Sequence, residues 1–365
     1  LVEAVVGLGA VALPASTLQL GHHDDGDYSE DKTQRQTYDL LAEGFGPGVN
    51  GPLLVVVDGQ NSPSLEGATE MVVQSLSGHD NVVAAVPAGF NEAGDTAMVT
   101  VVPGTGPSAE ETEELVEAIR DLSPLVEARA DASVNVTGST AIVIDFNEKV
   151  SEALIPYLAV VVGLSFLILV VVFRSILVPL KAALGFLVTM GATFGAAVAV
   201  FQWGWFADVI GLEQTGPIIS VLPIVLIGLV FGLAMDYQVF LVTRMREEHV
   251  HGAPAMSAVV TGFQHGARVV TAAATIMISV FAGFVLGEDF IKQVGFALAF
   301  AVFVDAFLVR MTIVPAILAL LGERAWWLPR WLDRILPDVD VEGDRLRRYL
   351  DEKEAPPAEP ARTET

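Results

Sequence analysis

From Ile219 to Thr243 the chain runs for about 25 residues with a single formal charge, Asp236. Roughly 20 apolar residues are enough to cross the hydrocarbon core of a bilayer, so this stretch dictates a membrane helix and leaves a carboxylate to be explained. Even on the lowest scales a charge at the centre of such a helix costs about 2.5 to 3.5 kcal/mol, and carboxylates found there mark ion and proton pathways. Gly228, Gly232 and Asp236 recur every fourth residue, which puts them on one helix face, and small residues at that spacing let a neighbouring helix come close. Asp236 is therefore expected to face protein rather than lipid.

The rest of the composition divides along the chain. Hydrophobic residues make up 52% of the sequence, yet the formal net charge is −24. Acidic residues crowd into residues 20–150 and the C-terminal end, whereas 154–321 is a succession of apolar runs. This is the pattern of a membrane protein carrying an acidic soluble domain. Its acidity argues against nucleic acid and anionic headgroups as direct partners. With no cysteine in the chain, the soluble domain must be held by its core alone. The run Leu1–Leu13 is too short to span and lacks the basic start and small-residue cleavage site of a signal peptide. Residues 1–19 are read as the end of a truncated membrane helix, and the chain as the C-terminal part of a longer polytopic protein.

Residues 20–152 read as one α+β domain. A polar loop leads into a short helix from about Lys32 to Glu43, with Tyr38, Leu41 and Phe45 as its apolar side. The loop's His22, His23, Asp24 and Asp25 are consecutive and do not converge on one ion, so no metal site is expected. The run Leu53–Asp58 predicts a buried strand and Ser64–Leu76 a helix; VVAAVP and TAMVTVVP predict two more strands. Ser108–Leu122 predicts a helix capped by Ser108 with a Glu three residues on, and SVNVTG a last strand. The order β-α-β-β-α-β is the ferredoxin-like, split-βαβ unit. No phosphate-binding GxxxxGK[ST] motif occurs, so the chain offers no nucleotide site.

Residues 153–321 are expected to form a bundle of five spans: Leu154–Phe173; Ile176–Trp203 with a kink at Pro179 and a small-residue face at Gly191 and Gly195; the Asp236 span; Val269–Leu286; and Gly295–Leu321. Arg174, Lys181, Arg244, Arg246, Arg268, Arg324 and Arg330 fall on one side. The opposite loops hold Asp208, Glu213, Glu288 and Asp289 against a lone Lys292. By the positive-inside rule the first side is cytoplasmic, which places the α+β domain outside the cytoplasm. Residues 322–336, with Trp326, Trp327 and Trp331 beside three arginines, read as an interfacial cytoplasmic helix, and the acidic, Pro-rich 337–365 as a disordered tail.

Two further polar features lie in the spans. Asp305 is a second intramembrane acid, and Arg310 follows five residues later. On an α-helix those two positions lie about 7.5 Å apart along the axis and on different faces, so Arg310 either joins the acid or snorkels to the headgroups. Thr271, Thr275 and Ser279 form a hydroxyl stripe that either meets the acids or bonds its own i−4 carbonyls. Tyr237, next to Asp236, is a relay member or a packing aromatic. A buried carboxylate beside a movable cation binds and releases protons, which is the physics of a relay.

The string GLAMDYQVFLVTRMREE, with EGFGPGVNGPLLVVVD, FRSILVPLKA, ARVVTAAATIMISVF and VFVDAFLVRMTIVPAILALLGERAWWLPRWLDR, resembles the MMPL group of the RND transporter superfamily over nearly the whole chain. The resemblance implies an α-helical polytopic bundle with an extracytoplasmic ferredoxin-like porter domain. It implies proton-driven export of lipids, lipid-like metabolites or hydrophobic drugs, without catalytic residues or a cofactor. The family's Asp-Tyr pair matches Asp236 and Tyr237, and its acid and arginine in the last span match Asp305 and Arg310; Thr275 is the fifth candidate for the relay. A half carrying a second Asp-Tyr pair is implied as partner and is absent from this sequence. The same bundle also suits a SecDF-like protein-export accessory or a lipid sensor.

Overall fold

The structure, a computed structural model, describes residues 1–21, 24–212, 214–250, 254–287 and 289–336. The residues 337–365, expected to be a disordered tail, and His22, His23, Glu213 and Glu288 fall outside that set. The chain is mostly helical, with one four-stranded sheet and a two-residue strand pair.

Helix α1 (Val2–Ala12) runs on through a short 3-10 turn to Thr17 and leads to β1 (Leu20–Gly21), then to α2 (Thr33–Phe45). The soluble unit follows as β2 (Leu53–Asp58), α3 (Leu65–Ser77), β3 (Val82–Phe90), β4 (Thr96–Pro103), α4 (Glu110–Asp121), α5 (Ser123–Ala130) and β5 (Ser133–Thr137). The sheet is antiparallel throughout in the order β3-β4-β2-β5, with Val55 opposite Val99 on one side and Val136 on the other. In β2 burial alternates, Leu53, Val55 and Val57 being fully buried. Their face packs on Val72 and Leu76 of α3 and on Leu115, Val116 and Ile119 of α4. The other face of the sheet stays open, with Val83, Val86, Phe90 and Met98 exposed.

Local details differ from the sequence reading where side-chain chemistry chose another partner. Ser64 caps α3, its Oγ accepting from Gly67 N at 3.1 Å. Ser108 does not cap α4. That helix starts after Ala109, and Glu110, Glu111 and Glu113 in its first turn complement the helix dipole instead. The expected apolar side of α2 is also looser than its pattern suggests, since Phe45 is 70% exposed.

The bundle begins with α6 (Ser139–Phe173), continuous from the last strand of the soluble unit. Next come α7 (Leu177–Ala197), closed by a π turn over Val198–Gln202; the short α8 (Ala207–Ile210); and β6 (Ile218–Ile219), which pairs in parallel with β1. Then follow α9 (Leu222–Val250), α10 (Ala255–Phe284), α11 (Asp289–Phe303), a ten-residue π-helical segment Val304–Ile313, α12 (Val314–Leu321) and α13 (Arg330–Ile335). Among the described residues four helices are long and apolar enough to cross a membrane: Ser139–Phe173, Leu177–Gln202, Val260–Phe284 and Phe290–Trp326. In the second and fourth, 72% and 61% of the residues in the most apolar 18-residue stretch are buried, and these form the centre; in the other two the share is 11%, and they present apolar side chains outward, as a lipid-facing helix does.

No kink is needed at Pro179, which stands in the first turn of α7, where its missing N–H has no helical partner to lose. The small-residue face at Gly191 and Gly195 packs against α1: a Cβ on Gly195 would overlap the Val11 carbonyl oxygen, and one on Gly191 would touch Ala12 at 3.4 Å.

Candidate proton-relay site

The site is built where α7, α9 and the π segment meet. On α7, Lys181, Gly185, Thr189 and Thr193 recur every fourth residue. That face is closed by back-bonding, Thr189 Oγ1 to Gly185 O at 3.1 Å and Thr193 Oγ1 to Thr189 O at 2.7 Å. At Gly185 a side chain would press on Val309 at 2.8 Å, so the glycine lets the π segment come close. On α9, Ala234, Gln238, Val242 and Met245 are buried at helical spacing and turn toward the same centre.

In the π segment each carbonyl is bonded five residues on rather than four, which stacks residue i+5 over residue i. Thr312 Oγ1 follows that pattern, donating to Phe307 O at 3.0 Å. Asp305 and Arg310 are thereby brought together: Arg310 Nε donates to Asp305 Oδ2 at 2.5 Å, and Nη2 donates to the Ala234 carbonyl of α9. The two residues are 7% and 2% exposed. Arg310 does not snorkel to an interface; it is the counter-ion of Asp305 and a tie between two helices. A small cavity of about 10 Å³ lies against this pair, lined also by Lys181, Gln238, Phe186 and Met235.

The remaining sequence candidates stand elsewhere. Asp236 is two residues from buried Ala234, so it points about 200° round α9, and with Gly228 and Gly232 it lies on an exposed face. The side chain of Tyr237 lies outside the described residues. Thr275 is exposed on α10 and donates to Thr271 O at 2.8 Å; Thr271 donates to Ala267 O at 2.7 Å and Ser279 to Thr275 O at 2.8 Å. The hydroxyl stripe thus bonds its own helix, with Thr271 Oγ1 also reaching Met311 Sδ of the π segment at 3.7 Å. Asp305 and Arg310 are joined, and within this chain Asp236 and Thr275 are not added to them.

Two cations counted above among the charges that set the orientation are inside the fold. Lys181 is 6% exposed and its Nζ has no hydrogen-bond partner among the described residues, while Lys292 is 8% exposed and donates to Gly211 O at 2.6 Å. The sequence held a signal for the first: Lys181 begins the Gly185-Thr189-Thr193 series, a polar and small face inside an apolar helix.

A model of the MMPL family matches residues 36–339. The chain belongs to the MMPL family, within the RND superfamily. MMPL proteins are transporters of the membrane, in keeping with the four apolar helices here. Among curated MMPL-type relatives, membrane protein YdfJ of Bacillus subtilis is 45% identical over 349 residues, covering 95% of this chain and 48% of YdfJ. The mycolic acid-containing lipids exporter MmpL11 of Mycolicibacterium smegmatis is 36% identical over 348 residues, covering 93% of this chain and 36% of its own. The heme uptake protein MmpL11 of Mycobacterium tuberculosis (strain H37Rv) is 34% identical over 337 residues, covering 91% and 35%. This MMPL chain therefore spans about half the length of YdfJ and about a third of the two MmpL11 proteins.

Proposed function

We propose that this chain serves as one half of a proton-motive-force-driven exporter that moves lipids or lipid-like hydrophobic molecules across the cytoplasmic membrane. Asp236, Tyr237, Asp305, Arg310 and Thr275 are its relay candidates. The observation that carries the reading is the buried Asp305–Arg310 pair inside a span of a transporter-family chain, because such a pair is costly to bury and intramembrane carboxylates mark proton pathways. Each charge crossing the field supplies about 2.3 kcal/mol per 100 mV. The exposed face of Gly232 and Asp236 supports a second helical unit docking there, in keeping with the extra length of the relatives. The antiparallel order β3-β4-β2-β5 supports reading residues 20–152 as a ferredoxin-like porter domain, and the arginines at the Arg174 end of the bundle support placing it outside the cytoplasm.

The test is transport of fluorescent lipid by the full-length protein in vesicles with an imposed pH gradient. Asp305→Asn and Asp236→Asn are each expected to stop export while membrane insertion persists. Undiminished export after a protonophore collapses the gradient would refute the reading. The heme-uptake name of one relative favours a second cargo, heme, which the same vesicles test by competition with the lipid.

A further inference from the structure

Lys181 is a charged side chain buried to 6% exposure whose Nζ has no hydrogen bond among the described residues, and it lines the cavity that also touches Asp305, Arg310 and Gln238, whose Nε2 likewise has no partner among them. Across the cavity it faces the Arg310 guanidinium, a like charge, and the Asp305 carboxylate, which Arg310 already holds. The other ionisable groups on the elements packed around this part of α7 lie away from the cavity among the described residues. Asp236 of α9 is on the exposed face, Glu3 of α1 and Glu323 and Arg324 of the turn before α13 are exposed, Lys292 of α11 donates to Gly211 O, and Tyr157 of α6 packs toward Gly228. A buried lysine without a counter-ion is unsuited to structural pairing, and it exchanges its proton far more readily than an arginine, which keeps its charge.

We propose that Lys181 is a third member of the relay, the amine that accepts the proton carried by Asp305. The inference rests on the proton-driven reading above. In the step, the O–H bond of the Asp305 carboxylic acid breaks and an N–H bond forms at the neutral Lys181 amine. The resulting carboxylate is taken up by Arg310 in the closed pair that the structure displays. Position fits the direction of flow. Lys181 is four residues into α7, about 6 Å from the helix start on the Arg174 side, so an ammonium there is one turn from the cytoplasmic interface in the proposed topology.

The experiment measures gradient-driven proton uptake in vesicles containing the full-length transporter, with a pH-sensitive dye, for Lys181→Met, Lys181→Arg and Asp305→Asn, alongside thermal unfolding of each. Expected is at least a tenfold loss of uptake in all three with the fold retained in Lys181→Arg. Arginine fails although it keeps the charge, because it does not release a proton. If Lys181→Met does not fold, Lys181→Arg alone decides. Uptake retained in Lys181→Arg or in a folded Lys181→Met, with Asp305→Asn inactive, overturns the role of Lys181 and leaves the proton-driven reading standing. Uptake retained in all three variants overturns both.

Discussion

Arg310 makes two bonds that only a guanidinium reaches together, one to Asp305 and one to the Ala234 carbonyl of the neighbouring helix. Arg310→Met leaves a buried carboxylate without its partner and is expected to destabilise the bundle by about 3 to 5 kcal/mol, read by thermal unfolding in detergent. Arg310→Lys should recover part of that stability but not transport, since an ammonium has no fork to span both acceptors. A milder test at this scale concerns Asp24, half-buried beside Tyr38, whose hydroxyl donates to it at 3.3 Å. Burial raises the Asp24 carboxyl above its ordinary value, and burial with the Asp24 charge pushes the Tyr38 hydroxyl up to about 12. A carboxyl raised on folding contributes stability at low pH that is lost as pH rises through its folded value. Asp24→Asn should therefore be the more stable form at pH 7, with the difference vanishing on acidification, as pH-dependent melting would reveal. Asp305 and Arg310 were legible in the sequence as separate residues, but not as a pair. Five residues on an α-helix turn the two side chains about 140° apart, and only the widened π segment reconciles them. Lys181 was legible as a charge and was counted with the basic residues of the Arg174 side because it lies near that end of its span; its burial was not legible.

At the level of elements, the soluble unit was readable nearly strand by strand because its alternation is strong; β2 runs over the residues Leu53–Asp58 that the apolar run marks. What the pattern left open was which end groups cap which helix, a matter of local hydrogen bonds rather than periodicity. Ser64→Ala removes the cap that α3 does use and is expected to cost about 1 kcal/mol in unfolding of the soluble unit. The contact of α1 on α7 depends on Gly195. Gly195→Leu forces the two helices apart, with an expected loss of about 1 to 3 kcal/mol and a lower melting temperature. Gly232→Leu is the contrasting case, since a Cβ there meets nothing within 4 Å. This chain by itself should tolerate the change, whereas export by the full-length protein should fall if a second helical unit docks on that face; comparing melting with transport separates the two.

Across the whole molecule, the clamp at the Arg174 end fastens α13 and the turn before it to the bundle: Arg174 Nη2 donates to Asp333 Oδ1 at 2.6 Å, and Ser175 Oγ donates to Ala325 O at 2.7 Å. The chain from the soluble unit enters α6 without a break, and β1 pairs with β6 beside the start of α9, so both strands of connection reach the helices that frame the buried pair. The π segment then has a mechanical meaning. It stores one extra residue per turn, like slack wound on a spool. Tightening it to α geometry would swing Arg310 off Asp305 and pay that slack out along the axis, sliding α12 by a length of order one residue's rise, about 1.5 Å, for each turn. In such a helix, the breaking of a charge pair and the stroke of a piston are one event.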